Sequence, residues 1–293
     1  MAGCDLWQVA EGVYLLDAWQ FGRPGTGGVY LLSGAEAALV ESGTSLAAPR
    51  ILAGLEEVGI PREAVHWIFV THVHLDHAGG AGALVQELPR ARVVVHPRGA
   101  KHLADPTKLV ASVKQAVGNR FPLYGEAIPI PTGRLHPARD GERFTVGAHS
   151  LRAVFSPGHA PHHLCFFEEV KGLLFTGDAA GLYLGDRLIP ATPPPSFDLE
   201  LSLATLARLS ALSPKALCYT HFGLRPGGEG LAEYGKLLRW WVQLVEERRT
   251  EEAVLAELAR QGWPVEDERV REDLLMSVRG VLMYLDRREA EGT

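Results

Sequence analysis

The stretch THVHLDHAGG, residues 71–80, holds three histidines and one aspartate within six positions. It follows the apolar run VHWIFV and ends in two glycines, so a buried strand is predicted to lead into a tight loop. In extended backbone, alternate residues point the same way, so His72 and His74 can share one metal ion, while Asp76 and His77 turn toward another. Because polar groups packed this closely are costly without a cation, the stretch predicts a metal site.

Three further apolar runs end in a small residue followed by a side chain that can bind metal. VFSPG leads to His159, LLFTG leads to Asp178, and LCYT leads to His221. Each ending alone is more typical of an ordinary loop residue. Loops at the carboxyl ends of strands are nevertheless where α/β proteins place their chemistry, so the three endings together with residues 71–80 favour one shared metal centre.

Strands and helices are predicted around these loops from hydrophobic periodicity. Short strands are expected before residue 43, a helix over 44–59, and helices after about residue 230. The stretch 97–118 is predicted to be helical, and the proline-broken stretch 121–133 is predicted to be a lid-like connection. The pattern predicts a catalytic domain over residues 1–228 and a helical C-terminal extension over residues 229–293.

Composition limits the classes of partner. Of the 293 residues, 46% are hydrophobic and 22% are charged, which is typical of a globular protein. A net charge of -6 gives polyanions no general attraction, which disfavours a nucleic-acid partner. The three cysteines are far apart, which fits a reducing compartment. No signal-peptide pattern and no membrane-length apolar run is seen, so a cytoplasmic protein without a membrane partner is expected.

The ligand pattern resembles the metallo-β-lactamase superfamily over about residues 6–228. The resemblance implies a four-layer αββα sandwich with the metals at one edge of its two sheets. It also implies a dinuclear site whose ligands divide into three groups: His72, His74 and His159 on one ion, Asp76, His77 and His221 on the other, and Asp178 as the bridge. A histidine at position 74 differs from the glutamate of oxygen-reducing diiron relatives, which favours a hydrolase.

The same resemblance places Glu41, in ALVESGT, under the site at a position where aspartate is common. Imidazole and carboxylate ligands suit two divalent transition metals, zinc first, with iron and manganese as alternatives. Such a pair would hold a bridging water and deliver hydroxide to a small ester, thioester or lactone, with Asp76 as ligand and catalytic residue that orients the nucleophile.

Residues 158–163 bear on which branch of the superfamily the chain resembles. GHAPHH, residues 158–163, resembles the GH-x-x-GH segment of glyoxalase II-like thioesterases, with His163 at the second histidine and His162 in place of glycine. The basic glutathione-binding pattern is not found, so an uncharacterised prokaryotic branch is expected. A phosphodiesterase or nuclease of the same superfamily stays an alternative, disfavoured by the acidic pI of about 6.1, as does a non-catalytic metal-binding module.

Candidate pocket residues come from a glycine-rich stretch between two strands. FGRPGTGG, residues 21–28, lacks the lysine of a phosphate-binding loop and is interpreted as a flexible loop over the site. Trp19, Phe21 and Arg23 are predicted to line a pocket for an acyl or aryl group of a small-molecule substrate, with Tyr183 on a second wall. The adjacent tryptophans of RWWVQLV indicate core packing or a dimer face, which leaves a homo-oligomer open.

Overall fold

A computed structural model of the chain describes residues 5–185 and 187–292. The chain separates into two compact units. The sheet unit comprises residues up to Phe155, His162–Gly177 and Pro214–Gly227, and the helical unit comprises Ser156–Pro161, Asp178–Ser213 and residues from Gly228 onward. Each unit is thus assembled from several stretches of the chain. The domain boundary expected between residues 228 and 229 stays a prediction.

The sheet unit contains two β-sheets. Seven strands form the first sheet in sequence order: β1 (Leu6–Ala10), β2 (Val13–Asp17), β3 (Gly28–Leu32), β4 (Ala37–Val40), β5 (Val65–Phe69), β6 (Arg92–Val95) and β7 (Leu135–Pro137). Six form the second, with β8 (Arg143–Val146), β9 (His149–Phe155), β10 (Leu164–Glu168), β11 (Leu173–Gly177), β14 (Ala216–Tyr219) and β15 (Gly223–Pro226) in the spatial order β15-β14-β11-β10-β9-β8.

Parallel pairing brings the ends of key strands together. β4, β5, β6 and β7 pair in parallel, and Val40 lies opposite Phe69, so the residues that follow β4 and β5 emerge side by side. In the second sheet β11 and β14 are also parallel, with Gly177 opposite Tyr219. Candidate site residues follow β4, β5, β11 and β14.

The two sheets pack face to face around an aromatic core. Phe69 of the first sheet lies with its ring centroid 5.3 Å from that of Phe144 and 5.0 Å from that of Phe166, both in the second sheet. All three rings are buried, and burying one such side chain contributes about 1.5–3 kcal/mol. Most of this core comes from alternate residues of the strands, which leaves the residues after the strand ends available for other roles.

Helices cover the other face of the first sheet. The sheet unit holds α1 (Ala48–Val58), α2 (Leu75–Ala78), α3 (Ala81–Glu87), α4 (Pro97–Ala104) and α5 (Thr107–Val117). Ile51 of α1, Leu84 of α3 and Leu103 of α4 pack with Leu39 and Ile68 of the sheet in one buried cluster. Three of the four layers of the expected sandwich are therefore seen within this unit.

The stretch 97–118, predicted to be helical, is two helices rather than one. Pro106 lies between α4 and α5, and a proline disfavours helical backbone in the residue before it. Asp105 accepts hydrogen bonds from the backbone N–H and the hydroxyl of Thr107, which begins the second helix. The stretch 121–133 begins in a 3-10 helix, Gly118–Leu123, and continues without a strand or α-helix to Gly133.

Within its described residues, the helical unit contains four α-helices and a pair of antiparallel strands. They are β12 (Leu182–Leu184), β13 (Arg187–Ile189), α6 (Leu199–Ser210), α7 (Glu229–Arg248), α8 (Glu251–Arg260) and α9 (Glu268–Glu291). Trp241 on α7 is completely buried, which favours core packing for one of the two adjacent tryptophans. None of the described helices combines the length and the apolar composition needed to cross a membrane.

Two cysteines lie in the interior of the sheet unit. Cys165 on β10 and Cys218 on β14 are both buried as free thiols, and Cys165 Sγ donates to the carbonyl oxygen of Thr176 at 3.3 Å. Burial raises the pKa of the Cys218 thiol well above its usual range. Cys4 lies outside the described residues.

Candidate metal centre

The loop that carries the clustered histidines lies unusually close to the neighbouring backbone. The chain leaves β5 at Phe69 and enters the single-turn helix α2 at Leu75. The Gly80 N–H donates to the carbonyl oxygen of Gly43 at 2.9 Å, and a Cβ added at Gly80 would lie 2.2 Å from the carbonyl oxygen of Ser42. Only glycine permits this approach, which explains the glycine pair that ends the loop.

Asp76, His77 and His221 bring three donor atoms together within the sheet unit. His77 Nε2 lies 3.1 Å from His221 Nε2, and Asp76 Oδ2 lies 3.5 Å from His221 Nε2 and 3.7 Å from His77 Nε2. The circle through three atoms with these separations has a radius of about 2.0 Å, which matches zinc–nitrogen and zinc–carboxylate bond lengths. One divalent ion therefore fits among the three donors.

Hydrogen bonds on the far side of the two rings determine which nitrogen carries the proton. His221 Nδ1 donates to the carbonyl oxygen of Thr26 at 2.7 Å, and His77 Nδ1 donates to Glu41 Oε1 at 2.9 Å. Because these oxygens only accept, each neutral ring keeps its proton on Nδ1 and its lone pair on Nε2. With both rings neutral, the two Nε2 lone pairs point toward each other at 3.1 Å, a spacing at which one cation can bind both.

Glu41 connects the segments that follow three strands. Its side chain is buried, and Oε1 accepts hydrogen bonds from Thr71 Oγ1 at 2.6 Å and Thr220 Oγ1 at 3.0 Å, besides the one from His77. Its backbone has a φ of +74°, a left-handed conformation that costs a non-glycine residue about 1–3 kcal/mol. The surrounding hydrogen bonds maintain this conformation, so one carboxylate orients groups from both sheets.

His72 and His74 form a second donor group in the sheet unit. Thr71 Oγ1 uses its proton on Glu41, so it accepts from His72 Nδ1 at 3.0 Å and leaves the lone pair of His72 on Nε2. This Nε2 lies 2.8 Å from His74 Nδ1. The two rings thus present nitrogens to a common point, as their alternate spacing in the sequence predicts.

The last two histidines of GHAPHH lie beside this pair. His163 is completely buried, and its ring stacks on His72 with the centroids 4.9 Å apart. The ring of His162 is only partly buried, and its centroid lies 6.0 Å from that of His74 and 6.3 Å from that of His72. His163 therefore packs behind a candidate ligand, while His162 lies beside both candidate ligands.

His159 and Asp178 are brought together in the helical unit. His159 Nε2 lies 3.5 Å from Asp178 Oδ2, and both side chains are buried. His159 Nδ1 donates to the carbonyl oxygen of Ala191 at 3.0 Å, so the lone pair on Nε2 is directed toward the carboxylate. At this spacing one cation can contact both His159 Nε2 and Asp178 Oδ2.

The predicted pocket residues of the N-terminal loop lie on a tightly held turn. Trp19 and Phe21 have φ values of +50° and +58°, and Trp19 is 43% exposed. Asp17 accepts from the backbone N–H groups of Trp19 and Gly25 at 3.0 and 2.6 Å, and burial raises the pKa of this carboxyl despite those bonds. These hydrogen bonds constrain the backbone of the turn that begins the predicted flexible loop. Arg23 is exposed on the same turn.

Side chains of Gln20 and Phe21 connect this turn to the rest of the sheet unit. The buried side chain of Gln20 donates from Nε2 to the carbonyl oxygen of Asp76 at 2.8 Å. The ring of Phe21 packs on Tyr124 with centroids 4.9 Å apart, and the guanidinium of Arg120 lies 6.0 Å from the Phe21 ring. Phe21 and Tyr124 together form an aromatic wall. This wall begins at the residue after Gln20, whose side chain contacts the loop that carries the clustered histidines.

Tyr183, predicted on a second wall, lies on β12 in the helical unit and is partly buried. Sequence reasoning did not identify Thr71, Thr220, Gln20 and Tyr124. Threonines that directly precede His72 and His221 were a readable signal, because both candidate ligands occur in a Thr-His pair. Gln20 contacts Asp76, which is 56 positions away, and Tyr124 contacts Phe21, which is 103 positions away. No local sequence pattern indicates either contact.

The comparison with known families agrees with this geometry. A model of the metallo-beta-lactamase superfamily matches residues 22–221. The chain therefore belongs to the metallo-β-lactamase superfamily, a superfamily of metal-dependent hydrolases. The family expected from the histidine pattern is confirmed, and so is the αββα class of fold with a helical C-terminal region.

Individual relatives share the fold and part of the sequence. The metallo-beta-lactamase fold-containing protein ST1585 of Sulfurisphaera tokodaii is 32% identical over 166 residues, which are 55% of this chain and 62% of that protein. The hydroxyacylglutathione hydrolase of Rhodobacter capsulatus is 29% identical over 161 residues, which are 55% of this chain and 49% of that protein. The chain thus matches less than two thirds of the length of either relative.

A solved structure is similar over nearly the whole chain. The metallo-beta-lactamase family protein TTHA1429 from Thermus thermophilus is 25% identical, with a TM-score of 0.72, and the match covers 97% of this chain and 96% of that chain.

Proposed function

We propose that the chain is a dinuclear metal-dependent hydrolase of small esters, thioesters or lactones. The observation that carries the proposal is the spacing of His77 Nε2, His221 Nε2 and Asp76 Oδ2, which lie 3.1–3.7 Å from one another and can all contact one divalent ion. In this proposal the ligands are those that the family resemblance implies: His72, His74 and His159 for one ion, Asp76, His77 and His221 for the other, and Asp178 for both. The donors are nitrogen and oxygen without thiolate, which suits zinc, with iron and manganese as alternatives.

The bound ions would supply a Lewis acid for the carbonyl oxygen and an acidified water at neutral pH. The chain's own residues prepare the donors for this role. Glu41 and the carbonyl of Thr26 hold the protons of His77 and His221 on Nδ1, so no proton has to leave either Nε2. Asp76, which is partly exposed, has a second carboxylate oxygen that can accept a proton from the attacking water and so orient it.

The aromatic wall supports a carbon-based acyl substrate over a phosphodiester. Phe21 and Tyr124 offer apolar ring surface beside the turn that carries Gln20, which in turn contacts the backbone of Asp76. Apolar walls with few polar groups bind acyl or aryl groups. One relative is named hydroxyacylglutathione hydrolase, and its name denotes a thioester substrate.

A small-molecule substrate, without nucleic acid or membrane as partner, is part of the same proposal. The net charge of -6 supports it, because no excess of positive charge is present to attract polyanions. A cytoplasmic location is proposed as well, supported by the free buried thiols of Cys165 and Cys218.

Metal analysis tests the centre. Protein purified gently and supplied with excess zinc is expected to hold two ions per chain by elemental analysis. The variant Asp178→Asn is expected to hold one, because the shared charge between two dications is lost, whereas Asp105→Asn, at an exposed position, is expected to hold two. At most one ion in the unchanged protein would overturn the dinuclear proposal.

Activity tests the substrate class. With two zinc ions bound, phenyl acetate, an acetyl thioester and a lactone are expected to be hydrolysed faster than bis(p-nitrophenyl) phosphate or a β-lactam. Asp178→Asn is expected to lower kcat by about 10²-fold or more, as loss of a central electrostatic group does at other sites. Turnover of the phosphodiester above that of every ester would instead support the phosphodiesterase alternative.

A further inference from the structure

A short loop of the helical unit is held between two C-terminal helices. Thr192 Oγ1 donates to the carbonyl oxygen of Ser277 on α9 at 2.8 Å, and Ser277 Oγ donates to the carbonyl oxygen of Pro190 at 2.7 Å. A Cβ added at Gly280 would lie 1.8 Å from the carbonyl oxygen of Thr192, so α9 contacts this loop backbone to backbone. Trp241 Nε1 on α7 donates to Thr192 Oγ1 at 3.2 Å, which ties the loop to the second helix.

The residue between those two anchor points, Ala191, orients His159. Its carbonyl oxygen accepts from His159 Nδ1 at 3.0 Å, and its own N–H donates to the hydroxyl of Tyr234 on α7 at 3.0 Å. Both sides of this one residue are therefore fixed, one by a candidate metal ligand and the other by a tyrosine from the C-terminal helices. A displacement of the Tyr234 hydroxyl is therefore passed to the imidazole of His159 through Ala191 alone.

Tyr234 also contacts the turn that follows Asp178. The Gly181 N–H donates to the carbonyl oxygen of Asp178 at 3.1 Å and closes this turn. Gly181 has a φ of +82°, and a Cβ added there would lie 2.4 Å from Cε2 of Tyr234, so the tyrosine ring occupies the space beside it. The side chain of Tyr234 is 2% exposed. One buried tyrosine thus contacts both Ala191, whose carbonyl oxygen accepts from His159, and the turn that follows Asp178.

We propose that Tyr234 is a positioning residue that holds His159 and Asp178 in the geometry needed to bind metal. The inference rests on the proposed function, because it takes these two residues as ligands. It gives α7 and α9 a defined role. They build part of the metal centre by fixing the loop at residues 190–192, and they are not a dispensable appendage. Removing the hydroxyl leaves the buried N–H of Ala191 unsatisfied, which favours rotation of this part of the loop.

The test compares Tyr234→Phe with Tyr284→Phe. Tyr284 is a second buried tyrosine of the helical unit, on α9, and its ring packs on Phe197. Zinc binding is followed by competition with a chelator. Tyr234→Phe is expected to lower the affinity for one of the two zinc ions by about tenfold or more, as is typical when a group supporting a ligand is lost. The affinity for the other ion is expected to change by less than about twofold. Tyr284→Phe is expected to change neither affinity, with a comparable shift in Tm.

A spectroscopic readout separates positioning from stability. In the metal-free protein, nitrogen NMR of labelled histidine is expected to show His159 with its proton on Nδ1, assigned by loss of the signal in His159→Gln. Tyr234→Phe is expected to convert it to a mixture of tautomers. Ser277→Ala, which frees the same loop at Pro190 without altering Tyr234, is expected to shift the signal in the same direction.

The outcomes are distinguishable from a failure of the proposed function. If the unchanged protein binds no zinc, the proposed function is overturned, and the tautomer measurement still tests the position of His159. If the protein binds zinc and both Tyr234→Phe and Ser277→Ala leave the affinities and the His159 tautomer unchanged, the role of Tyr234 is overturned.

Discussion

Glu41 accepts hydrogen bonds from three side chains where strands of both sheets end, and each of those side chains is next to, or is itself, a candidate ligand. The variant Glu41→Gln keeps the size but replaces one acceptor oxygen by a donor. His77 Nδ1 or a threonine hydroxyl then loses its acceptor. Zinc affinity is expected to fall by about 10–100-fold, and the free energy of unfolding to fall by about 1–3 kcal/mol.

Calorimetric titration of zinc into metal-free protein measures the effect. Glu36→Gln is the matched control, because Glu36 also faces a histidine, His66, at 3.5 Å but is largely exposed. The control is expected to bind zinc like the unchanged protein. Equal affinities for Glu41→Gln and the unchanged protein would show that the carboxylate does not support the ligands.

At the scale of single residues, local spacing carried most of the information. Residues 71–80 predicted four candidate ligands because their side chains leave one short loop together. The hydrogen-bond acceptors that set the tautomers of the other two candidate histidine ligands were not predictable. His221 is held by the carbonyl oxygen of Thr26, which is 195 positions away, and His159 by that of Ala191. A backbone carbonyl has no sequence signature, since every residue has one.

At the scale of elements, the wall formed by Phe21 and Tyr124 is expected to select the acyl group. Phe21→Ala and Tyr124→Ala are each expected to lower kcat/KM for a phenylacetyl thioester by about tenfold, the equivalent of losing one aromatic contact of ~1.4 kcal/mol. An acetyl thioester of the same thiol is too short to need the wall and is expected to change within about twofold.

Tyr124→Phe keeps the ring and is the control, expected to behave like the unchanged protein. A double variant that loses less than the product of the two single losses would show that the rings act as one surface. Equal losses for acetyl and phenylacetyl thioesters in both single variants would contradict a role in selection.

Two departures from the sequence prediction involve turn chemistry that is local in the chain. Pro106 and the Asp105 side chain, which accepts from Thr107, separate two helices in a stretch predicted to be helical, although both residues were readable signals. The stretch 21–28 was predicted to be a flexible loop from its glycines. Asp17 and the hydroxyl of Thr26 form hydrogen bonds to Trp19 and Gln20, two and six positions away, at its start.

At the scale of the whole molecule, a buried carboxylate makes stability depend on pH. Glu168 ends β10 and is completely buried. Burial alone would raise its pKa, but the imidazole of His149, 3.8 Å from Oε1, and the backbone N–H groups of Lys171 and Ser150 outweigh burial and lower it. A lowered pKa in the folded state means that the ionised form stabilises the fold above the unfolded value of 4.5.

This contribution is therefore complete at neutral pH and is lost as the pH falls below that value through the lower pKa of the folded state. Urea unfolding of metal-free protein across this acidic range is expected to show a shallower loss of stability for Glu168→Gln than for the unchanged protein. Glu11→Gln, at an exposed turn, is the control and is expected to keep the original slope. Parallel curves for all three proteins would contradict the assignment.

The overall architecture was predicted through the family resemblance, and strand periodicity alone would not have given it. Short apolar runs predict strands such as β3 and β5, but the parallel order of β4 to β7 depends on contacts between distant segments. The division into a sheet unit and a helical unit was also beyond the pattern, because Ser156–Pro161 and Asp178–Ser213 join the C-terminal helices in space. Chain order gave no sign of that grouping.

The two interior thiols make the opening of the sandwich measurable. Cys218 lies in the core between the sheets, and its raised pKa keeps it protonated and unreactive toward alkylating reagents while the core is closed. In a Cys4→Ser variant, alkylation at Cys218 therefore requires β14 to separate from its neighbours. The rate of alkylation at Cys218 in native buffer then reports how often β14 separates, without denaturant.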